Sequence, residues 1–546
     1  MKQNSGISGQ LAVGLIIFSL VFSACSSTST QNGEIAQKQS SSYSNANMTS
    51  GNSSMMSNSS GMSAPMLSKD GVYEEKQTSG ERYARIDENP FLETSRAPLS
   101  TFSIDVDTAS YANVRRYLND GQLPPKDAVR IEELVNYFEY DYPQPIGDAP
   151  FSVMTEAAIA PWNRQHKIVS IGLQGKKVEL EDAPPSNLVF LVDVSGSMNT
   201  PDRLPLVKQG LKYLANQLSA KDRVAIVVYA GTSGLVLNST NNRGEILNAI
   251  ENLEAGGSTN GGQGIQLAYR VALDNFIQDG NNRVVLATDG DFNVGVTSDN
   301  ELVGLIEQKR QTGIFLSVLG FGTGNTNDSM MEKLADKGNG NYAYIDSQTE
   351  ARKALGEQVA GMLYTIAKDV KIQVEFNPVR VAGYRLIGYE NRLLANRDLN
   401  DDKKDAGEIG AGHSVTALYE IVPAGQVIEN DGVDDLRYSK VEPSDTRFND
   451  ELLTVKLRYK EPNDEQSKLL TQGLLDRGNS IENASDNLRF ASAVAQFGML
   501  LRDSRYKGSA SFGNVSGLIN NSLGNDLKSY RSDFLNLVGK ANRLKS

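Results

Sequence analysis

Apolar residues are arranged in two different ways along this chain, and each arrangement predicts a different architecture. Across residues 99–107, 151–160 and 167–174 they alternate with polar residues, the period-two pattern of strands with one covered face. Helical spacing over 108–120 and 126–138 falls between the first of these strands and the others, with Pro124-Pro125 separating the two helices. From residue 187 the alternation gives way to continuous apolar runs at 188–192, 224–229, 284–288 and 314–319, with a last strand at 341–345. Such runs belong to strands covered on both faces. Helical patterns at 204–218, 244–253, 264–276 and 330–336 lie between them, the signature of a doubly wound sheet. Past residue 367 alternation returns at 370–376, 379–386, 414–421 and 452–459, before helices at 486–502 and 525–538.

The expected fold class is therefore α/β: a doubly wound, mostly parallel sheet flanked by or inserted into a β-rich sandwich, with C-terminal helices. The expected divisions are an N-terminal α/β region at 67–145, sandwich strands at 146–186, the parallel-sheet domain at 187–366, and a C-terminal β-rich domain with terminal helices at 367–546. Residues 26–66 are rich in Ser, Asn, Gly and Met and poor in large apolar side chains, so they read as a flexible tether.

The chemistry suggested by the pattern gathers at one end of the parallel sheet, where open α/β sheets bind ligands beyond the carboxyl ends of their strands. Asp193-Val-Ser195-Gly-Ser197 follows the first apolar run directly. Asp289 follows the third, and Thr259 sits in the glycine-rich loop 256–262 ahead of a helix. Two carboxylates and three hydroxyls form an all-oxygen donor set suited to a hard cation, Mg²⁺ first, with Mn²⁺ or Ca²⁺ as alternatives. So few carboxylates leave residual positive charge and an exchangeable position on the ion, which an Asp or Glu of a protein ligand can fill.

Composition narrows the classes. The formal net charge is −12, which argues against a nucleic-acid partner, since that needs a basic face. One cysteine, Cys25, rules out an intramolecular disulfide and a cysteine metal site. His166 and His413 are the only histidines, and neither has a Ser or Cys nucleophile motif beside it, so the chain is expected to be a binding protein rather than an enzyme.

Asp193-x-Ser195-x-Ser197, the distant Thr259 and Thr288-Asp289-Gly290 resemble the metal-ion-dependent adhesion site of von Willebrand factor A domains. The resemblance implies that Ser195, Ser197 and Thr259 are hydroxyl ligands and that Asp193 and Asp289 act directly or through water. Segments 102–111, 255–262, 288–295 and 405–413 look like a bacterial lipoprotein family that joins a von Willebrand-associated region, an A domain and a C-terminal domain of unknown function. The apolar stretch 11–24, ending in small residues before Cys25, resembles a lipoprotein signal, with Phe22 where that signal usually has Leu. This implies a signal peptide at 1–24, a lipidated Cys25 holding the chain to a membrane, and a place in the bacterial envelope, the outer membrane ahead of the inner. The implied activity is metal-dependent protein binding in adhesion or scaffolding, with periplasmic envelope-complex assembly as the rival.

Two further signals stand apart. Asp105-Val-Asp107-Thr108, at the end of a strand, is similar to the opening of haloacid-dehalogenase-type phosphatases, but two helices follow where that fold needs βα units. A contact between domains or a helix cap is the favoured reading of these aspartates. The acidic loop 396–408 has calcium-like spacing at Asp398, Asn400 and Asp402, yet Lys403 and Ile409 stand at the positions where a calcium loop needs Gly and Glu. It reads as a solvated hairpin loop.

Overall fold

Strands from before and after the parallel sheet in the chain pair with one another. A computed structural model of the protein describes residues 83–104, 107–179, 183–230, 233–257, 261–290, 299–323, 327–402, 404, 406–426, 428, 450–462 and 464–545. The expected leader, tether and lipidation at Cys25, together with Thr259 and Asp105, lie outside the described residues. Among the described residues no helix is long and apolar enough to cross a membrane.

Along the chain, β1 (Leu92–Glu93) and β2 (Leu99–Ser103) precede helices α1 (Ala109–Asn119) and α2 (Ile131–Asn136) and the hairpin of β3 (Phe151–Ala160) and β4 (Asn163–Gly175). The α/β segment then runs β5 (Ser186–Asp193), α3 (Leu204–Gln217), β6 (Arg223–Tyr229), β7 (Ser233–Thr240), α4 (Arg243–Glu251), α5 (Gly261–Asp274), β8 (Asn281–Thr288), α6 (Asp299–Arg310), β9 (Ile314–Phe321), α7 (Asp328–Lys337) and β10 (Tyr342–Ile345). Short helices α8 (Gln348–Arg352) and α9 (Val359–Leu363) lead out of it. The C-terminal part comprises β11 (Thr365–Phe376), β12 (Val381–Ile387), β13 (Gly407–Gly410), β14 (Ser414–Pro423), β15 (Glu451–Lys460), β16 (Lys468–Leu475) and helices α10 (Asp486–Arg502), α11 (Phe512–Asn520) and α12 (Tyr530–Lys545).

The central sheet has the order β10-β9-β8-β5-β6-β7, parallel throughout except for β7, which pairs antiparallel with β6 at the edge. Every residue of β5 is buried. Phe190 and Val192 face the core packed by α3, α4 and α8, whereas Val189 and Leu191 face α5, α6 and α7. Coverage on both sides is why these strands are apolar without alternation.

The remaining strands form two antiparallel sheets, one in the order β1-β12-β14-β4-β3, the other running β16-β15-β11 with β2 and β13 sharing the far edge of β11. Strand β4 pairs with β14 from Lys167↔Ile421 to Gln174↔Ser414, and β2 pairs with β11. Strands from before and after the α/β segment are thus hydrogen-bonded to one another, and the segment is inserted into a sandwich made by both flanks. Ile171 and Leu173 of β4 share the inter-sheet core with Ile372 and Val374 of β11, and the Phe376 and Tyr384 rings stack with centroids 3.9 Å apart. Helices α1, α2, α10, α11 and α12 join a further core that includes Ala158, Ile168 and Leu418 of the first sheet.

One expected helix is broken. Residues Lys126–Ala128 make only a 3-10 turn, the backbone is extended at Val129 and Arg130, and α2 starts at Ile131. The Arg130 N–H donates to Ser110 Oγ at 2.9 Å, and that hydroxyl donates to the Ala128 carbonyl at 2.7 Å. These bonds replace the intrahelical ones that continuity would require. Strand β7 and helices α6 and α11 lie in stretches where no element is expected.

Candidate metal centre

The site is assembled where β5 and β8 end side by side. Asp193 closes β5 with its side chain fully buried. Its Oδ1 accepts the Ser195 N–H at 2.9 Å and its Oδ2 accepts the Thr288 hydroxyl at 3.4 Å. The chain then turns through a 3-10 turn at Gly196–Met198, which brings Ser195 Oγ and Ser197 Oγ to 2.9 Å of each other. Two backbone bonds tie this turn to the next loop: Gly196 N–H to the Gly257 carbonyl at 3.1 Å, and Gly256 N–H to the Val194 carbonyl at 2.7 Å. Thr259, expected in the same loop, is outside the described residues.

Asp289 follows β8, 3 % exposed. Gly290 behind it has φ +81°, and a Cβ there would come within 3.0 Å of the Asn327 nitrogen. A glycine is required by both backbone conformation and space. The Gly290 N–H donates to Thr288 Oγ1 at 3.1 Å, so one threonine hydroxyl links the two carboxylate-bearing turns.

Burial pushes the Asp193 carboxyl up to about 6; hydrogen bonds from Ser195 oppose the rise and the neighbouring Asp289 charge adds to it. Two buried carboxylates close enough to repel are costly unless a cation compensates them. The structure supplies one group that the sequence reading missed. Arg203, in the connection before α3, donates from Nη1 to Asp289 Oδ2 at 2.8 Å and to the Ser197 carbonyl at 2.7 Å, and from Nη2 to the Thr323 carbonyl at 3.0 Å. Its position 86 residues from Asp289 left no local signal.

The donors brought together are oxygen alone: Asp193, Ser195, Ser197 and Asp289. Among the described residues no group of three or more His, Cys, Asp or Glu side chains is placed to hold a metal ion, so a site here must draw on hydroxyls as well. Two carboxylates and a pair of facing hydroxyls against one guanidinium fit a divalent hard cation, for which this donor chemistry is apt.

The other aspartate motif is built differently. Asp107 Oδ1 accepts the Tyr342 N–H of β10 at 3.1 Å, and Oδ2 accepts from Arg392 at 3.4 Å. Arg392 also binds Glu332 at 2.7 Å and Asp336 at 2.8 Å on α7. Arg130 binds Glu332 and Glu133, each at 2.9 Å, and lies 3.6 Å from Asp328. Asp107 thus sits in a buried charge network joining the N-terminal helices, α7 and the β12–β13 connection. In the acidic loop Asp398 Oδ2 accepts the Ala395 N–H, while the amines of Lys371 and Lys460 donate to the carbonyls of Asp401 and Asp402. His166 Nδ1 lies 2.6 Å from Glu420 Oε1, which in turn shares its carboxylate with Arg385.

Comparison with known proteins gives three consecutive family matches. Residues 77–170 match a family described as von Willebrand factor, 187–358 the von Willebrand factor type A domain, and 361–544 the C-terminal region of uncharacterized protein YfbK. The chain is 44% identical over 472 residues to uncharacterized protein YfbK of Escherichia coli (strain K12), covering 84% of this chain and 80% of that one. It is 28% identical over 191 residues to a UPF0353 protein of Mycolicibacterium gilvum, covering 30% of this chain and 57% of the relative. Among solved structures, von Willebrand factor type A from Catenulispora acidiphila aligns over 84% of this chain and 91% of its own, at 13% identity and a TM-score of 0.37.

Proposed function

Since the chain belongs to the family of Escherichia coli YfbK and carries a von Willebrand factor type A domain, a protein-interaction module, we propose that it docks a protein ligand through a divalent cation held by Asp193, Ser195, Ser197, Thr259 and Asp289. The observation that carries this reading is the convergence of Asp193, the paired hydroxyls of Ser195 and Ser197, and Asp289 at the carboxyl end of the sheet. A bound Mg²⁺ or Mn²⁺ would supply an open coordination position for a carboxylate. The chain's own part is to hold hydroxyl donors that leave the ion's charge incompletely neutralised, so that an Asp or Glu of the ligand is attracted to it. Cys25 is the proposed lipid attachment, with the ligand met in the bacterial envelope, at the outer membrane. The central claim is tested by titrating the full chain with Mg²⁺ or Mn²⁺ calorimetrically. Asp193→Ala combined with Ser195→Ala should abolish the binding; undiminished affinity in that double variant would refute the metal site.

A further inference from the structure

The guanidinium of Arg203 occupies a prepared position beside the site. Its side chain is only 16% exposed, and Nε is buried without a hydrogen-bond partner. Gly322, at φ +81°, makes room for it: a Cβ there would stand 2.3 Å from Arg203 Nε and 2.7 Å from its Cγ. Nη1 spans the two halves of the site, touching Asp289 Oδ2 and the Ser197 carbonyl. A guanidinium carries its charge at every physiological pH and cannot step aside by losing a proton. A fixed positive charge a few ångströms from a divalent ion in a partly buried site repels it strongly, and draws off carboxylate charge that the ion would otherwise use.

We infer that Arg203 is a resident cation that competes with the divalent ion for Asp289, lowering the site's metal affinity while holding Asp289 in place when no metal is bound. This rests on the metal-site reading above and goes beyond it: occupancy of the site is set by exchange between a tethered cation and a free one. The opposite role, in which Arg203 merely orients Asp289 as a ligand, makes the reverse prediction for metal affinity.

The test uses the full chain and Mn²⁺ alone, with affinity read by calorimetry and melting temperature read in chelator. Arg203→Gln should bind Mn²⁺ at least tenfold more tightly than wild type and melt at a lower temperature in the metal-free state. Arg203→Lys, which keeps the charge, should stay within about threefold of wild-type affinity, a factor worth well under 1 kcal/mol. Gly322→Ala, which intrudes on the space of Arg203 without touching a proposed ligand, should also tighten Mn²⁺ binding, and keeps the inference testable if Arg203→Gln fails to fold. Equal or weaker Mn²⁺ binding by Arg203→Gln, or by Gly322→Ala where Arg203→Gln does not fold, overturns the inference while leaving the metal site standing. If wild type and variants alike bind no Mn²⁺, or if Asp193→Ala binds like wild type, the metal-site reading itself falls.

Discussion

Asp107 and Asp193 are both buried, one shortly after β2 and the other closing β5, yet their surroundings are opposite. Asp107 faces a guanidinium, that of Arg392, and a backbone N–H from β10. Asp193 is met by neutral donors, the Ser195 N–H and the Thr288 hydroxyl, with a second carboxylate nearby. A fold that buries a carboxylate for structural purposes gives it a cation, because an uncompensated buried charge is expensive. At Asp193 that compensation is withheld, and burial pushes its carboxyl up to about 6. The contrast supports the proposal that the end of β5 is kept for an external cation, whereas the contact around Asp107 is a clamp between segments.

Removing a cation from the clamp should have the largest effect. Arg130 is the shared partner of Glu133 and Glu332 and lies beside Asp328, all of them buried. Arg130→Met strands these carboxylates and should cost about 3–5 kcal/mol of stability in urea unfolding. Mn²⁺ affinity at the site should survive in the folded fraction. Loss of metal binding in protein that is still folded would mean that the two regions are one energetic unit.

A smaller effect tests the same contrast through pH. Burial, opposed by Arg130, pushes Asp328 up to about 7 from an ordinary value near 3.8. The folded state therefore holds this proton more tightly than the unfolded state does. The stability so gained is complete below about 3.8 and is lost as pH rises through about 7. One such group changes stability by at most about 1.4 kcal/mol per pH unit. Asp328→Asn should remove that slope from denaturation curves of the metal-free protein between pH 4 and pH 7; an unchanged slope would show that Asp328 is ionised throughout.

The two regions also differ in how well the sequence exposes them. The runs that became β5, β6 and β8 are apolar because both faces of the sheet are covered, and their carboxyl ends locate Asp193 and Asp289 without tertiary knowledge. The Asp-x-Ser-x-Ser turn closes on itself over five residues, so its geometry is local. The clamp is hidden because its bonds span long separations: Arg130 meets Glu332 202 residues away, and Asp107 meets Arg392 285 residues away. That same network, with Ser110, breaks the helix expected over 126–138. Strand β7 carries little signal because as an edge strand it is half exposed, with Leu235 at 43% and Val236 at 47%, and so lacks a long apolar run. Helix α6 carries Leu302, Val303 and Ile306 at helical spacing, all buried, so its signal is legible in the sequence. Arg203 was beyond reach, since only the packing of β8 beside β5 brings Asp289 to it.

The smallest effect on stability should come from the hydroxyl pair, and it separates a binding site from a structural one most sharply. Ser195 Oγ and Ser197 Oγ bond to each other across 2.9 Å. Removing one alone leaves its partner seeking a bond. Removing both removes the demand along with the supply, which costs little when both partners become apolar. Ser195→Ala with Ser197→Ala should therefore leave the metal-free protein within about 1 kcal/mol of wild type, with the Asp193 and Thr288 contacts intact. Stabilisation by added metal, about 2.7 kcal/mol at a hundredfold excess over Kd, should disappear in the same variant. Two hydroxyls that the fold can lose at almost no cost, but that the cation cannot, would be donors kept for a ligand. A large loss of metal-free stability would instead make them part of the local architecture and return the end of β5 to the same category as the clamp.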